Sequence, residues 1–340
     1  MVGTGAKIRF AVLGLGHIGT RHADMVAAHD ECELVAIIDT NPDLKQRVEQ
    51  NYGVPYYSSL QDFLRSGIQA DVINIATPNA QHAEQAVLCI ESGNHVVIEK
   101  PMALTTADCN SILECAAGNN KQVFCVMQNR YSAPMQWLKE LITKGILGNI
   151  YMVDVHCYWN RDERYYTGET WHGTESIDGG TLFTQFSHYV DLLYWVFGDV
   201  QDISARFANN NHKGLIDFED SAHISFSFRN GGMGSMSYST SVWDKNMEST
   251  LVVVAERGTV KIGGQYMDKI EYCHIQDYEL KENISSQNLH VNGYTGAKAN
   301  HYYVIQNVVD VLQGRSGITT NADEGTKVVE IIEHIYALKN

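Results

Sequence analysis

Ile8-Arg9-Phe10-Ala11-Val12-Leu13 runs directly into Gly14-Leu15-Gly16-His17-Ile18-Gly19. The first six residues are apolar apart from Arg9 and too few for a helix, so they read as a buried strand. The glycines then open a helical pattern. In a strand–turn–helix unit the first glycine makes the tight turn, and the second lets the backbone approach a pyrophosphate. The third lets the helix pack closely on the strand, with its positive end toward the phosphates. Three glycines at this spacing also occur in ordinary turns, so the context carries the reading. A second apolar run, Leu34–Ile38, ends at Asp39, about twenty residues past Gly19. A carboxylate there accepts hydrogen bonds from adenosine ribose hydroxyls and repels a 2′-phosphate. The cofactor expected is NAD, with Gly14, Gly16, His17, Ile18, Gly19 and Asp39 around it.

The same alternation continues outward. Short apolar runs at Val72–Ile75, His95–Ile98 and Val123–Val126 are separated by helical patterns such as Ala80–Glu91 and Thr105–Ala117. Continuous apolar strands between helices predict a parallel sheet covered on both faces. From Ile150 the pattern changes to long alternating stretches: Tyr151–Tyr158, Ala222–Phe228, Gly232–Tyr238, Leu251–Val254 and Thr259–Ile262. These predict an antiparallel sheet with one exposed face, followed by helices around His301–Leu312 and Ala322–Leu338. The chain has 340 residues, comfortable for two domains. The expected fold class is α/β: a doubly wound nucleotide-binding domain over 1–128, then an α/β domain over 129–340 for substrate and oligomerisation. No repeat or low-complexity linker separates them.

A net charge of −15 argues against nucleic-acid or anionic-membrane partners, although a local basic cluster can still hold an anionic ligand. No apolar run approaches the roughly 20 residues needed to span a bilayer. Ile8–Leu13 is too short, and too quickly followed by glycines, for a signal peptide. The seven cysteines form no Cys-x-x-Cys pair, several in apolar strand-like surroundings, so zinc through cysteine is not expected and a reducing cytoplasm is.

Two loops fall at strand carboxyl ends, where open α/β sheets bind ligands. Ala76-Thr77-Pro78-Asn79 follows the third strand, and Glu99-Lys100-Pro101 follows the fourth. Taken alone, Lys100 reads as a solvated loop charge rather than an ammonium facing the cofactor. Farther along, Gly179-Gly180 precedes a helical stretch with Leu182, Phe183, Phe186, Tyr189, Val190 and Leu193 on its apolar side. Thr184, His188 and Asp191 fall four and three residues apart on another face. A histidine in a polar stripe is costly to bury without a use. A metal at His188 and Asp191 would need a third ligand, for which His172 is the only obvious neighbour, and no metal is expected.

The motifs Gly14–Gly19, Ala76–Asn79 with His82, and Glu99-Lys100-Pro101 come in the order seen in the Gfo/Idh/MocA oxidoreductases, which this chain resembles over essentially its whole length. The resemblance implies an N-terminal Rossmann domain and a C-terminal α/β domain on a large open antiparallel sheet. Gln128-Asn129-Arg130-Tyr131 matches the family's domain-crossing segment, and Gly179 through Asp191 its substrate helix. Within the family the chain is most similar to UDP-N-acetyl-2-amino-2-deoxyglucuronate 3-dehydrogenases. The similar motifs are Trp159-Asn160-Arg161, Tyr165-Tyr166, Trp171-His172-Gly173-Thr174 and Asp178-Gly179-Gly180, then Thr184-Gln185-Phe186-Ser187-His188-Tyr189-Val190-Asp191-Leu192-Leu193. His172 stands where that subgroup has arginine, and Thr184 where it has asparagine. The resemblance further implies cofactor contacts from Thr77, Pro78, Asn79, His82, Glu99, Lys100, Gln128 and Trp171. The substrate implied is a sugar or nucleotide sugar oxidised at a ring hydroxyl, C3 in the subgroup.

Oxidising a carbinol needs a hydride acceptor and a destination for the hydroxyl proton. Nicotinamide supplies the first. His188 can take the proton near neutral pH, and Lys100 can hydrogen-bond the same oxygen and stabilise alkoxide charge. Thr184 cannot act as acid or base and is expected to hydrogen-bond the substrate. Asp191 is expected to bind sugar or ribose. Arg161, Arg164, Tyr165 and Tyr166 form a basic-aromatic cluster suited to carboxylate, pyrophosphate or a stacked ring. The competing reading is a salt-bridged loop, since Asp162 and Glu163 lie inside it. Gly293-Tyr294-Thr295-Gly296 with His301 is a second candidate substrate loop. Rival functions are an NAD-dependent glycosidase, an inositol dehydrogenase, or a non-catalytic dinucleotide sensor. An open sheet face needing cover, as family members provide by pairing, predicts a homodimer or homotetramer.

Overall fold

Strands β1 (Ile8–Leu13), β2 (Cys32–Ile38), β3 (Tyr56–Tyr57), β4 (Val72–Ile75), β5 (His95–Ile98) and β6 (Val123–Cys125) are short and largely apolar, and β4 and β6 are buried throughout. Such strands need covering on both faces. The structure, a computed structural model, describes residues 6–168, 171–280, 284–285, 290–291, 293–295 and 299–339. The six strands pair in parallel in the order β3-β2-β1-β4-β5-β6. They are connected by helices α1 (His17–Ala27), α2 (Leu44–Tyr52), α3 (Leu60–Arg65), α4 (His82–Glu91) and α5 (Thr106–Asn119). Because β1 pairs with both β2 and β4, the winding reverses at β1, and ligands of such sheets bind at the strand ends there. Ser59 and Thr105 cap α3 and α5 by accepting the N–H groups of Asp62 and Asp108, and their hydroxyls donate to the carboxylates of the same two residues.

The chain divides into two compact units between Met127 and Gln128, and the first takes back His301–Val329. That return contains helix α10 (His301–Leu312) and most of the last helix, α11 (Ala322–Tyr336). It buries Val304, Ile305, Val308 and Val309, and it is tied by polar contacts across long sequence separations: Gln306 Oε1 lies 3.0 Å from His29 Nε2, Arg315 donates to Glu31, and Cys125 N donates to the Thr320 carbonyl at 3.0 Å.

In the second unit, helices α6 (Ala133–Thr143), α7 (Glu163–Tyr166), α8 (Glu175–Asp178) and α9 (Ser187–Phe197) accompany seven strands. The strands are β7 (Ile150–Tyr158), β8 (Val200–Ala208), β9 (Ser221–Phe228), β10 (Met233–Ser239), β11 (Glu248–Ala255), β12 (Gly258–Gly263) and β13 (Lys269–Ile275). Their order is β13-β12-β11-β7-β10-β9-β8. One pair departs from the expected antiparallel sheet, because β7 and β10 run parallel. Alternation along a strand reports which face is buried and says nothing about the direction of its neighbour. Here β8, β9 and β10 form one antiparallel meander and β11, β12 and β13 another, with β7 between them. The inner face carries Val153, Val155, Cys157, Ile224, Phe226, Met236, Tyr238, Leu251 and Val253, all buried.

Candidate functional site

In the first unit the turn after β1 is built by glycine where no other residue fits. Gly14 has φ +87°, and a Cβ there would lie 2.6 Å from the Ala76 carbonyl oxygen. A Cβ on Gly19 would lie 1.7 Å from the Gly14 carbonyl, so α1 packs on the turn only because the side chain is missing. A Cβ on Gly16 would meet nothing within 4 Å, so the backbone is open on that side. Gly16 N-caps α1 without a side-chain acceptor, which leaves the first N–H groups of an eleven-residue helix facing the opening. An open glycine face at an uncapped helix end is what a dinucleotide pyrophosphate fits. Asp39 is held beside it: its carboxylate accepts the N–H of Leu15 at 2.6 Å and of Asn41 at 2.8 Å. Exposed His17 accepts from Arg21 across one helical turn, at 3.1 Å.

The two loops at the strand ends are joined through His82, whose ring nitrogens face the carbonyls of Pro101 and Thr77 at 2.7 and 2.9 Å. Burial pushes the His82 pKa down, against the pull of both carbonyls. This fully buried ring is a strut between the two loops. Thr77 donates to Gln85, which pins the same loop to α4. Behind Lys100, Glu99 accepts the Lys100 N–H at 3.2 Å through Oε2, and its Oε1 lies 2.8 Å from His22 Nε2. Burial pushes the Glu99 carboxyl up, but the facing imidazoles of His22 and His301 outweigh it and hold the pKa well below the usual range. Glu99 thus supports the Lys100 backbone from inside the unit. His301 is buried here too, its Nε2 3.6 Å from Glu99, and not in a substrate loop. Of the candidate loop Gly293–Gly296, Gly296 lies outside the described residues.

Among the described residues, His22, Glu99 and His301 are the one group of three such side chains whose donor atoms lie within 4.8 Å of one another. His22 spends both ring nitrogens inside the cluster, on Glu99 and on the Asn74 amide at 3.0 Å. His172, His188 and Asp191 form no such group.

In the second unit, Gly179 and Gly180 have φ +85° and +116°, and the chain then makes a π turn over Leu182–Phe186 before α9 begins. That turn breaks the expected single stripe, because the wider turn rotates Thr184 away from the other two. The Thr184 hydroxyl donates to the Asp178 carboxylate, and is 8% exposed. His188 stands in the first turn of α9 with Nε2 3.1 Å from the Gln128 amide nitrogen. Asp191 is fully buried and accepts Arg130 Nε at 2.9 Å and Nη2 at 2.5 Å. Asp191, expected to bind sugar or ribose, is held in an internal ion pair.

The basic-aromatic cluster also divides. Arg164 is exposed and paired with Asp162, as the salt-bridged reading has it. Tyr166 packs with Ile216 and Phe218 in a small core, where burial pushes its pKa up. Arg161 and Tyr165 remain: Arg161 lies over the rings of Trp159 and Tyr165 at 5.0 and 5.1 Å and donates to Gln185 at 2.8 Å. Burial pushes the Tyr165 hydroxyl up to about 12. Trp171 packs on His172 with ring centres 4.0 Å apart. Arg130, Asp178 and Gln185 carry the geometry of this unit without having been assigned a role from sequence. The signal for them was faint: each sits inside a quoted motif, but its partner is fixed only by folding.

The family model for oxidoreductases with an NAD-binding Rossmann fold matches residues 8–127, and the model for the Gfo/Idh/MocA C-terminal domain matches 135–261. A WlbA dehydrogenase from Bordetella pertussis, solved with NADH and UDP-GlcNAcA, superimposes with a TM-score of 0.87. It is 33% identical, over 98% of this chain and 96% of that one. A second WlbA dehydrogenase, from Chromobacterium violaceum with the same ligands, gives a TM-score of 0.89 at 32% identity, over 98% and 94%. The D-glucoside 3-dehydrogenase of Escherichia coli K12 is 28% identical over 150 residues, which is 44% of this chain and 43% of that protein.

Proposed function

The chain belongs to the Gfo/Idh/MocA family of NAD-dependent oxidoreductases, and from that premise we propose that it oxidises a ring hydroxyl, at C3, of a nucleotide sugar resembling UDP-N-acetylglucosaminuronate. The observation that carries the substrate is the likeness to two dehydrogenases solved with UDP-GlcNAcA, over 98% of the chain. The partial likeness to a glucoside 3-dehydrogenase supports oxidation at C3.

Gly14, Gly16 and Gly19 would hold the pyrophosphate and Asp39 the adenosine ribose, and the nicotinamide, when bound, supplies the hydride acceptor. The rest falls to the chain's own side chains. His188, whose Nε2 receives the Gln128 amide N–H, has the unprotonated nitrogen that a base needs, and we assign it the hydroxyl proton. Lys100, its backbone fixed by Glu99, is assigned to stabilise the alkoxide. Arg161 and Tyr165 are assigned to the sugar or its diphosphate, with Thr184 supporting them through Asp178. The chain is proposed to act in the cytoplasm; among the described residues no helix is long and apolar enough to cross a membrane. It is further proposed to pair through the outer face of the second sheet.

The test is NADH formation from NAD with a panel of UDP-sugars, free sugars and inositols. UDP-N-acetylglucosaminuronate or a close nucleotide sugar is expected to give the highest kcat/KM. A free sugar or inositol turning over at least tenfold better would overturn the nucleotide-sugar assignment.

A further inference from the structure

Strands β7 and β10 run parallel and end at the same edge of the second sheet, where Tyr158 lies beside Ser239 and antiparallel β9 begins at Ser221. Just beyond these strand ends, Arg161, Thr240 and Asp220 close a ring through His212. Arg161 N–H donates to the Thr240 carbonyl at 2.9 Å, and Thr240 N–H donates to the Asp220 carbonyl at 2.8 Å. On the other side the Asp220 carboxylate lies 3.2 Å from His212 Nδ1, and His212 Nε2 donates to the Arg161 carbonyl. One aspartate therefore reaches both backbone groups of Arg161, through its own carbonyl on one side and through an imidazole on the other.

His212 and Asp220 are both buried, and Tyr166 meets the imidazole edge-on with ring centres 5.5 Å apart. The Asp220 carboxylate also accepts the N–H groups of Asn210 and Asn211 and the Ser221 hydroxyl, at 2.9, 2.7 and 2.8 Å. Burial pushes its pKa up, but the facing imidazole and these bonds outweigh it and hold the carboxyl below the usual range. Both neighbours of the ring only accept, so a hydrogen on each nitrogen satisfies them, and Asp220 balances the charge that the second hydrogen brings. A buried acid–imidazole pair that ended in the core would be a brace and nothing more. This one ends on the backbone of Arg161, whose guanidinium donates to Gln185, to the Asn160 carbonyl and to Asn246, and lies over Trp159 and Tyr165.

We infer that His212 is a positioning residue for substrate recognition: with Asp220 it fixes the Arg161 backbone where β7 ends, and so sets the point from which the guanidinium meets the sugar or its diphosphate. A forked donor binds an anionic oxygen well only when its direction is held, and a side chain aims no better than the backbone that carries it. Removing the imidazole takes the donor from the Arg161 carbonyl and loosens that aim without touching the guanidinium. The link to substrate rests on the assignment of Arg161 in the function proposed above; the anchoring of its backbone does not.

Two measurements test these parts separately. Hydrogen exchange in the free protein reads the anchoring, with the Ser249 N–H, which donates to the Gly264 carbonyl in the same unit, as reference. In His212→Phe the Arg161 N–H should exchange about tenfold faster or more relative to that reference. Equal acceleration at both sites, as general loosening would give, or none at either, overturns the anchoring. Kinetics on whichever sugar produces NADH read the substrate role. His212→Phe should lower kcat/KM roughly three- to tenfold, mostly through KM for the sugar, with KM for NAD unchanged. Added to Arg161→Ala, it should change kcat/KM by less than about twofold, because the aim of a missing guanidinium no longer counts. Losses that multiply in the double variant overturn the positioning role. If His212→Phe does not fold, His212→Asn, polar but too short to span Asp220 and Arg161, runs the same cycle. His212→Gln, which keeps an amide donor, should recover most of the loss. Absence of turnover with every sugar would overturn the proposed function and the substrate role with it, while exchange still decides the anchoring.

Discussion

Arg130 and Asp191 bury a complete ion pair, each side chain 1% exposed. Breaking such a pair strands a charge, whereas replacing both partners with apolar groups removes the desolvation cost along with the attraction. Asp191→Asn is therefore expected to lower unfolding stability by about 3–5 kcal/mol in urea titrations. The double variant Arg130→Met/Asp191→Leu should cost less than the single one, and a larger loss would argue that the cost of the single variant is not that of a stranded charge. At Asp39 the consequence falls on the cofactor: Asp39→Ser should weaken NAD binding and narrow the preference over NADP, read by titrating both. Gly14 and Gly19 were legible in the sequence because their places in the turn are set by neighbours in the chain and by the strand ahead of them. The partner of Asp191 was not legible, because it is 61 residues away and a helical face does not say whether it meets solvent or a buried guanidinium. The surroundings of His82 were hidden for a related reason, since both its nitrogens face backbone carbonyls that no side-chain pattern announces.

The π turn at Leu182–Phe186 is held from one side by the last helix. Tyr336 Oη accepts the Leu182 N–H at 2.8 Å and donates to Glu219 at 2.8 Å, and Tyr238 donates to the same carboxylate oxygen at 2.7 Å. A Cβ on Gly180 would lie 2.5 Å from that Tyr336 oxygen, at a φ of +116°. Gly180→Ala is thus expected to destabilise by about 1–3 kcal/mol and to displace the segment carrying Thr184 and His188. Gly53→Ala is the comparison: it also needs positive φ, but its Cβ would meet nothing within 4 Å. If thermal melts show Gly180→Ala no worse than Gly53→Ala, the packing argument fails. The regular elements were readable where burial imposed a period, as in β1, β4, β5 and α10, whose ends coincide with the apolar runs. The edge strands β8 and β13 were not, because an edge tolerates polar residues on both faces, as Lys269, Glu271 and His274 do on β13. The parallel β7–β10 pair was invisible for the reason given above.

Several buried groups of the molecule titrate in the same sense. Burial pushes the pKa values of His82 and His301 down, and takes His95 to about 4. Below about pH 6.5 the unfolded chain binds protons that these native histidines do not, so stability falls as pH falls from there. Glu99 and Asp220 have lowered carboxyl pKa values, so the stability they contribute above the ordinary carboxylate range is lost on further acidification. Melting temperature should therefore decline steadily from pH 7 to pH 4; a flat profile over that range would contradict these shifts. On the outer face of the second sheet, Met233, Met152 and Val254 lie side by side in register on β10, β7 and β11, at 57%, 40% and 37% exposure. An exposed apolar row of this kind fits a second copy of the chain, and Met152→Glu with Met233→Glu should reduce the particle mass to that of a monomer in light scattering.

The assignment of Lys100 and His188 to the oxidation of a sugar hydroxyl is most directly tested by measuring NADH formation alongside NAD binding in Lys100→Ala and His188→Ala. Loss of at least a hundredfold in kcat by each variant, with NAD affinity within a fewfold of wild type, is the expected result. Turnover equal to wild type in both variants would contradict the chemistry proposed for this protein.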